Sequence, residues 1–138
     1  DVPTTGEGGL WECGGSGDNT HFDYTDSNIY DGFGTTARKS TGDPTPSLAA
    51  WRLYNVVSTS SEWTSFLDGT QHFTTATNTV DFDPFGGGAV KLGASLASAT
   101  YWLNGQIAEF ILFSSKLSGG DKTSMKTYFA TRYGLTIA

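Results

Sequence analysis

The most regular pattern of apolar and polar positions lies in the last quarter of the chain. From residue 106 to 113, apolar side chains occupy both faces of an alternating pattern, and Glu109 is the one charge. One face carries Ile107, Ile111 and Phe113, and the other carries Ala108, Phe110 and Leu112. A strand that is covered on both sides has this pattern. The sequence therefore predicts a buried strand over Gln106 to Phe113.

A helix is predicted after this strand. From Asp121 onward, apolar and aromatic residues recur at the spacing of a helix; these are Met125, Tyr128, Phe129 and Tyr133. Ser118 is a suitable N-cap, because its hydroxyl can accept a hydrogen bond from a backbone N–H of the first turn. Gly134 suits the left-handed C-terminal cap. We expect the apolar stripe of this helix to be the second cover of the strand.

The longest strand signal in the middle of the chain runs from Leu48 to Ser58. Apolar residues again fill both alternations, and we expect the side that carries Trp51 to face the core. A hairpin follows, with arms at residues 62–68 and 70–74. Its Asp68-Gly69 pair supplies the positive φ values of a type I′ turn. The alternation of this hairpin places Trp63 and Leu67 inward and Phe66 outward.

Several of these segments together match a known pattern. The sequence G-x-I-A-E-F-I-L-F at 105–113 is followed by K-L-S at 116–118 and by Y-F-A-T-R-Y-G-L at 128–135. Upstream stand W-R-L-Y at 51–54 and F-L-D-G at 66–69. Residues 48–135 resemble laminin-G-like, concanavalin-type jelly-roll domains. The resemblance implies an all-β fold, an antiparallel jelly-roll β-sandwich with one C-terminal α-helix.

The amino-acid composition is typical of a chain with many short strands and turns. It also argues against two classes of binding partner. The net charge is −6, and the eight Lys and Arg residues are scattered, so nucleic acid is not an expected partner. No apolar stretch is long enough to span a membrane, and no membrane partner is expected. Cys13, the single cysteine, cannot form an internal disulfide and is interpreted as a half-buried, unreactive thiol.

The chain divides into an arm and one domain. Residues 1–8 contain Pro3 and two glycines and carry little apolar content, so they are predicted to form a flexible N-terminal arm. Residues 9–138 are predicted to form a single laminin-G-like jelly-roll domain, in keeping with the usual size of one domain.

The sequence offers no catalytic arrangement. Hydrolases with this jelly roll carry a Glu-x-Asp-x-Glu strand, and the densest acidic motif here is Asp81-Phe82-Asp83 beside a Pro-Gly loop. We interpret its two acids as turn residues. His21 and His72 have no nucleophile-elbow serine to activate, and we expect both at the surface or the rim. The chain is therefore predicted not to be an enzyme.

Candidate binding residues are of two kinds. Oxygen-rich loops leave calcium open as a ligand, although no other cofactor is expected; their acidic and amide residues are Asp18, Asn19, Asp23, Asp26 and Asp43. Outward-facing aromatics and a neighbouring amide could contact a glycan or a protein partner; these are Tyr24, Tyr30, Phe66, Tyr101, Trp102 and Asn104. Glu109 is expected to bind Arg132 or a helix tyrosine, because a carboxylate in an apolar strand needs a partner.

The sequence and the resemblance together predict a non-catalytic recognition or structural module on a virion or in the extracellular space. The first interpretation is a component of a tailed-phage virion, either a capsid decoration protein or a tail-associated protein that binds other virion or surface proteins. The alternative is a glycan-binding, lectin-like domain of a secreted protein, and an inactive glycoside hydrolase fragment is a distant third. A homo-oligomer is compatible with each of them.

Overall fold

A computed structural model of the chain describes residues 8–15, 20–22, 24–83, 89–94 and 102–138. The elements are β1 (Trp11–Glu12), β2 (Ile29–Asp31), β3 (Lys39–Gly42), β4 (Tyr54–Thr59), β5 (Glu62–Leu67), β6 (Thr70–Thr75), β7 (Lys91–Leu92) and α1 (Gly119–Tyr133). Antiparallel pairing joins β1 to β7, β2 to β3, and β4 to β5 to β6. The prediction of an all-β chain with one C-terminal helix is confirmed at this level, although each sheet is small.

The hairpin of β5 and β6 forms as the sequence predicts. Asp68 and Gly69 adopt positive φ values of 48° and 81° and connect the two strands. Trp63 and Leu67 are buried, whereas Phe66 is half-buried. A register shift falls between Ser65 and Phe66, so the alternation is interrupted beside Phe66.

The strand predicted from Leu48 is shorter, and the opposite alternation faces the core. It begins only at Tyr54, and Trp51 is 53% exposed. Tyr54 packs against both core clusters. The prediction for Trp51 is wrong because Asp68 holds the preceding residues at the hairpin turn. Its carboxylate accepts hydrogen bonds from the Arg52 guanidinium at 3.1 Å and from the Leu53 N–H at 2.9 Å.

Among the described residues, most of the buried apolar side chains form two small clusters, and Trp63 and Ala94 are buried outside them. One contains Leu10, Trp11, Cys13 and Phe33, and the other contains Ile29, Leu48 and Leu67. Phe22 and Tyr54 pack against both clusters and join them. Cys13 is more deeply buried than predicted, and burial, followed by the nearby charge of Asp31, raises the pKa of its thiol.

A buried carboxylate links three strands within this core. Asp31 is fully buried and accepts hydrogen bonds from Trp11 Nε1 at 3.0 Å, from the Phe33 N–H at 2.8 Å and from the Tyr54 hydroxyl at 2.8 Å. Burial raises the pKa of Asp31, and the three donors act in the opposite direction. Asp31 therefore ties β2 to β1 and β4, and the sequence did not single it out.

In the C-terminal region, the predicted helix forms and the predicted strand does not. Ser118 caps α1 by accepting a hydrogen bond from the Asp121 N–H at 3.2 Å, and Gly134 adopts the left-handed conformation with φ 67°. Residues 106–113 form no strand, and Phe110 to Phe113 are exposed. No residue of α1 is buried, so the helix does not cover this segment as we expected.

Residues 1–7 of the predicted arm lie outside the described residues. Gly8, its last residue, is buried, and its carbonyl accepts a hydrogen bond from the Phe22 N–H at 2.8 Å.

The helix in the described part of the chain lacks the length and apolar content needed to cross a bilayer.

Candidate functional site

A large cavity separates the three-stranded sheet from the C-terminal region. Its volume is about 870 Å³, and it is lined by all of β4, by residues 105–117 and by one side of α1. We call it the apolar groove. The helix contributes Lys122, Met125, Phe129 and Tyr133 to its lining.

Many large apolar side chains are exposed in the groove. Leu112 is 56% exposed and Phe113 45%. The other exposed apolar residues of its lining are Trp51, Val80, Phe82, Leu92, Phe110 and Ile111. Exposed apolar patches on folded proteins are typical of protein–protein interfaces and of ligand-binding grooves. The sequence had assigned most of these side chains to the core.

The outer edge of β4 borders the same groove. Within the described parts of the chain, β4 pairs with β5 alone, from Tyr54 opposite Leu67 to Thr59 opposite Glu62. All six of its residues are half-buried. An open strand edge carries backbone N–H and C=O groups that another extended segment can bind.

Positively charged side chains line the groove, although the net charge of the protein is −6. Arg52, Lys116, Lys122 and Lys126 line it, half of the eight Lys and Arg residues in the sequence. Arg52 already pairs with Asp68 at 3.1 Å, and Lys116 pairs with Glu62 at 2.6 Å. The remaining two have different contacts. Lys122 lies 5.6 Å from the Phe66 ring centroid, and Lys126 donates to the Gly69 and Ala138 carbonyls.

The acidic residue of this lining, Glu109, is held by the helix. Its carboxylate accepts hydrogen bonds from the Tyr128 hydroxyl at 2.9 Å and from the Tyr133 hydroxyl at 2.8 Å, and Arg132 Nε lies 3.6 Å away. The expected partner for Glu109 is thus confirmed. The hydrogen bond to Glu109 raises the pKa of Tyr128. This cluster attaches the segment 106–113 to α1.

Tyr24 and Tyr30, two of the aromatics predicted to bind a ligand, lie against each other. Their ring centroids are 5.5 Å apart, the Arg38 guanidinium lies 4.8 Å from the centre of Tyr30, and His21 lies 4.6 Å from Tyr24. His21 is buried, so its predicted place at the surface is wrong, whereas His72 is half-buried. Burial, with Arg38 nearby, lowers the pKa of His21 to about 4.

The remaining candidates differ in exposure. Trp102 is 64% exposed and joins Ala94 in an isolated β-bridge, and Asn104 is also exposed. Phe66 lines the groove, and Tyr101 lies outside the described residues. Among the described candidates, Trp102 is thus an exposed aromatic side chain outside the groove lining.

The acidic side chains that the structure describes form local contacts rather than a cluster. Asp81 accepts a hydrogen bond from the Asp83 N–H at 2.9 Å, the local turn contact that the sequence predicted. Asp26 binds the Tyr30 hydroxyl at 2.7 Å, and Asp43 is exposed. Asp18, Asn19 and Asp23 fall among the undescribed residues. In the described ranges, no three His, Cys, Asp or Glu side chains come close enough to hold a metal ion.

Comparison of the chain with protein-family models, with curated proteins and with solved structures finds no match.

Proposed function

We propose that this chain is a non-catalytic jelly-roll module that attaches to another protein on a tailed-phage virion, as a capsid decoration or tail-associated protein. The observation that carries the proposal is the exposed lining of the apolar groove. The virion setting and the complete jelly roll come from the resemblance to laminin-G-like domains.

The exposed lining favours attachment on energetic grounds. Each Å² of apolar surface that is removed from water contributes about 25 cal/mol, so covering several large side chains supplies a substantial part of a binding free energy. A stable protein interface buries more than about 1,000 Å² in total. A groove that runs along a whole strand and a helix offers such an extended contact, whereas a small-molecule site needs a few convergent polar groups.

The charges indicate the chemistry of the partner surface. Lys122 and Lys126 line the groove, and among the described residues neither forms an ion pair with an Asp or Glu side chain, in a chain whose net charge is −6; Lys126 donates instead to backbone oxygens of Gly69 and Ala138. A partner segment with apolar side chains and flanking carboxylates fits these two ammonium groups. Charge complementarity of this kind orients the encounter more than it raises the affinity.

The test uses particles purified from the source and an antibody against this chain. Immunogold electron microscopy should label the particles, and added recombinant protein should sediment with them. Leu112→Ser should weaken this co-sedimentation. Val90→Ser is the matched control, because Val90 is equally exposed at 54% but does not line the groove. Unlabelled particles, or equal effects of the two substitutions, would reject the proposal.

One observation favours the glycan-binding alternative. Trp102 is 64% exposed and lies two residues from the exposed amide of Asn104, the pairing of stacking face and hydrogen-bonding group that sugars bind. On a glycan array, Trp102→Ala should then abolish a saturable signal. Trp51→Ala is its control, since Trp51 is similarly exposed but lies in the groove. A signal lost in the Trp102 variant alone would replace virion attachment with lectin activity.

A further inference from the structure

The outer edge of β4 is the part of the apolar groove that can bind the backbone of another protein. Within the described ranges this strand pairs with β5 alone, and the whole of it lines the cavity of about 870 Å³. We propose that the partner protein enters the groove with an extended segment of alternating apolar residues and flanking carboxylates, and that this segment adds to β4 as a fourth strand of the sheet. The inference rests on the attachment proposed above and specifies the partner.

The pairing with β5 shows which backbone groups of β4 point outward. The Leu53 carbonyl accepts a hydrogen bond from the Asp68 N–H at 2.8 Å, so Leu53 faces β5. This facing alternates along an antiparallel strand, and the pairing of β4 with β5 runs without a register shift. The N–H and C=O groups of Tyr54, Val56 and Ser58 therefore point away from β5, at the outer edge.

An occupant that covers this edge must also bind its backbone groups. A buried N–H or C=O group without a hydrogen-bond partner is costly. A helix has already used its own backbone groups, so it would cover the edge and leave the outward groups of β4 unpaired. An extended segment supplies donors and acceptors along the roughly 20 Å that the six residues of β4 span. The open edge therefore selects an extended occupant.

The helix provides apolar contacts for one alternation of the added strand. Phe66 lies opposite Asn55 of β4, and cross-strand partners share one face of a sheet. Lys122 Nζ lies 5.6 Å from the Phe66 ring centroid, so α1 stands over that face. Every second side chain of an added strand points to the same face, where Met125 and Phe129 line the groove. Apolar residues at alternate positions of the partner segment fit these two side chains.

Two ammonium groups indicate where the carboxylates of the occupant lie. Lys122 and Lys126 are one helical turn apart on α1, and both line the groove. Lys126 Nζ donates to the Gly69 carbonyl at 3.4 Å, in the hairpin turn that adjoins the Tyr54 end of β4. Among the described residues, neither ammonium group pairs with an Asp or Glu side chain. A carboxylate beside the apolar run of the partner segment therefore fits near the Tyr54 end.

A second copy of this chain fits the same edge less well. If two copies paired antiparallel through β4, the Tyr54 end of one strand would meet the Thr59 end of the other. Near the Thr59 end, Lys116 and Glu62 neutralise each other at 2.6 Å. That end brings no net negative charge to the two lysines, so we assign the segment to a different protein.

A synthetic peptide tests the strand addition. The probe has alternating Val and Thr residues over the length of β4 and a glutamate at each end, and fluorescence anisotropy measures its affinity. Two further versions carry N-methyl groups, one on the Val amides and the other on the Thr amides. Because only one alternation of a strand's amides faces its neighbour, one version alone should lose affinity, by at least about tenfold. Loss in both versions, or in neither, would overturn the proposal.

Hydrogen exchange on the unmodified protein locates the probe without any substitution. The amides of Tyr54, Val56 and Ser58 should exchange more slowly when the probe is added, whereas those of Asn55 and Val57 are already paired with β5 and should not change. Unchanged exchange at the outward amides in the presence of saturating probe would contradict strand addition.

Substitution of the lysines tests the charge assignment. Lys122→Ala combined with Lys126→Ala should weaken probe binding by about two- to fivefold, as expected for partly exposed ion pairs. Lys39→Ala is the matched control, because Lys39 does not line the groove. An equal effect of the control would show that the probe responds only to net charge and would remove the carboxylates from the proposal.

The strand addition and the virion attachment can fail separately. If the protein sediments with particles but the probe neither binds nor competes, the strand addition is overturned and the attachment stands. If the probe binds with the expected methylation pattern while particles remain unlabelled, the strand addition stands and the virion setting is rejected. A dimer in analytical ultracentrifugation that the probe dissociates would identify a second copy as the occupant and overturn the assignment to a different protein.

Discussion

The buried carboxylate of Asp31 provides the most quantitative prediction. Asp31→Ala removes the acceptor for three donors, Trp11 Nε1, the Phe33 N–H and the Tyr54 hydroxyl. A buried donor left without a partner costs about 1 to 3 kcal/mol. The loss of a desolvated carboxylate offsets part of this cost, so the free energy of unfolding should fall by roughly 2 to 5 kcal/mol. That is a large share of the ~5 to 15 kcal/mol typical of a domain.

Two further variants separate the hydrogen bonds from the charge. Asp31→Asn retains an oxygen for the two donors at Oδ1, Trp11 and Phe33, and should cost less than half as much as the alanine variant. Asp26→Ala is the control, because Asp26 also accepts a tyrosine hydroxyl and a backbone N–H but is exposed. Urea unfolding, followed by tryptophan fluorescence, measures all three.

The pH dependence of Asp31 follows from the direction of its pKa. Burial raises this pKa in the folded chain, so the folded state binds the proton more strongly than the unfolded state does. The resulting contribution to stability is complete below the ordinary value of 3.8 and is lost as the pH rises through the folded pKa. Wild type should therefore gain stability relative to Asp31→Asn on acidification. A control variant Asp26→Ala as damaging as Asp31→Ala, or no pH-dependent difference, would refute this reasoning.

Three other predictions concern single groups. His21 should titrate near pH 4 by NMR, and its contribution to stability should be complete above pH 6.5 and fall by about 3 kcal/mol towards pH 4; titration near 6.5 would contradict this. Cys13 should react with Ellman's reagent only as the protein unfolds, because burial raises its thiol pKa, and rapid labelling of native protein would show an accessible thiol. Glu109→Gln should lower the pKa of Tyr128 in a tyrosinate absorbance titration, with Tyr128→Phe identifying its signal, and an unchanged titration would show that this hydrogen bond is absent in solution.

The sequence by itself determined the features that depend on neighbouring residues. The Ser118 cap and the Gly134 terminus of α1 formed as predicted, because each needs only hydrogen bonds or backbone angles within one or two turns. The turn of the β5–β6 hairpin did so for the same reason, since Asp68 and Gly69 adopt the positive φ values that their sequence predicts. The register shift between Ser65 and Phe66 was not predicted. Glu109 could be given its partners because an isolated carboxylate among apolar residues must find a donor.

Only the tertiary structure decided the features that depend on distant contacts. The alternation of β4 that faces the core was reversed, because the hydroxyl of Tyr54 reaches Asp31 and because Asp68 holds Arg52 and Leu53 outside the strand. The burial of His21 and the groove beside residues 106–113 likewise come from segments far apart in the chain. A pattern of apolar positions indicates that a segment can be covered on both sides. It does not identify the distant segment that packs on either side.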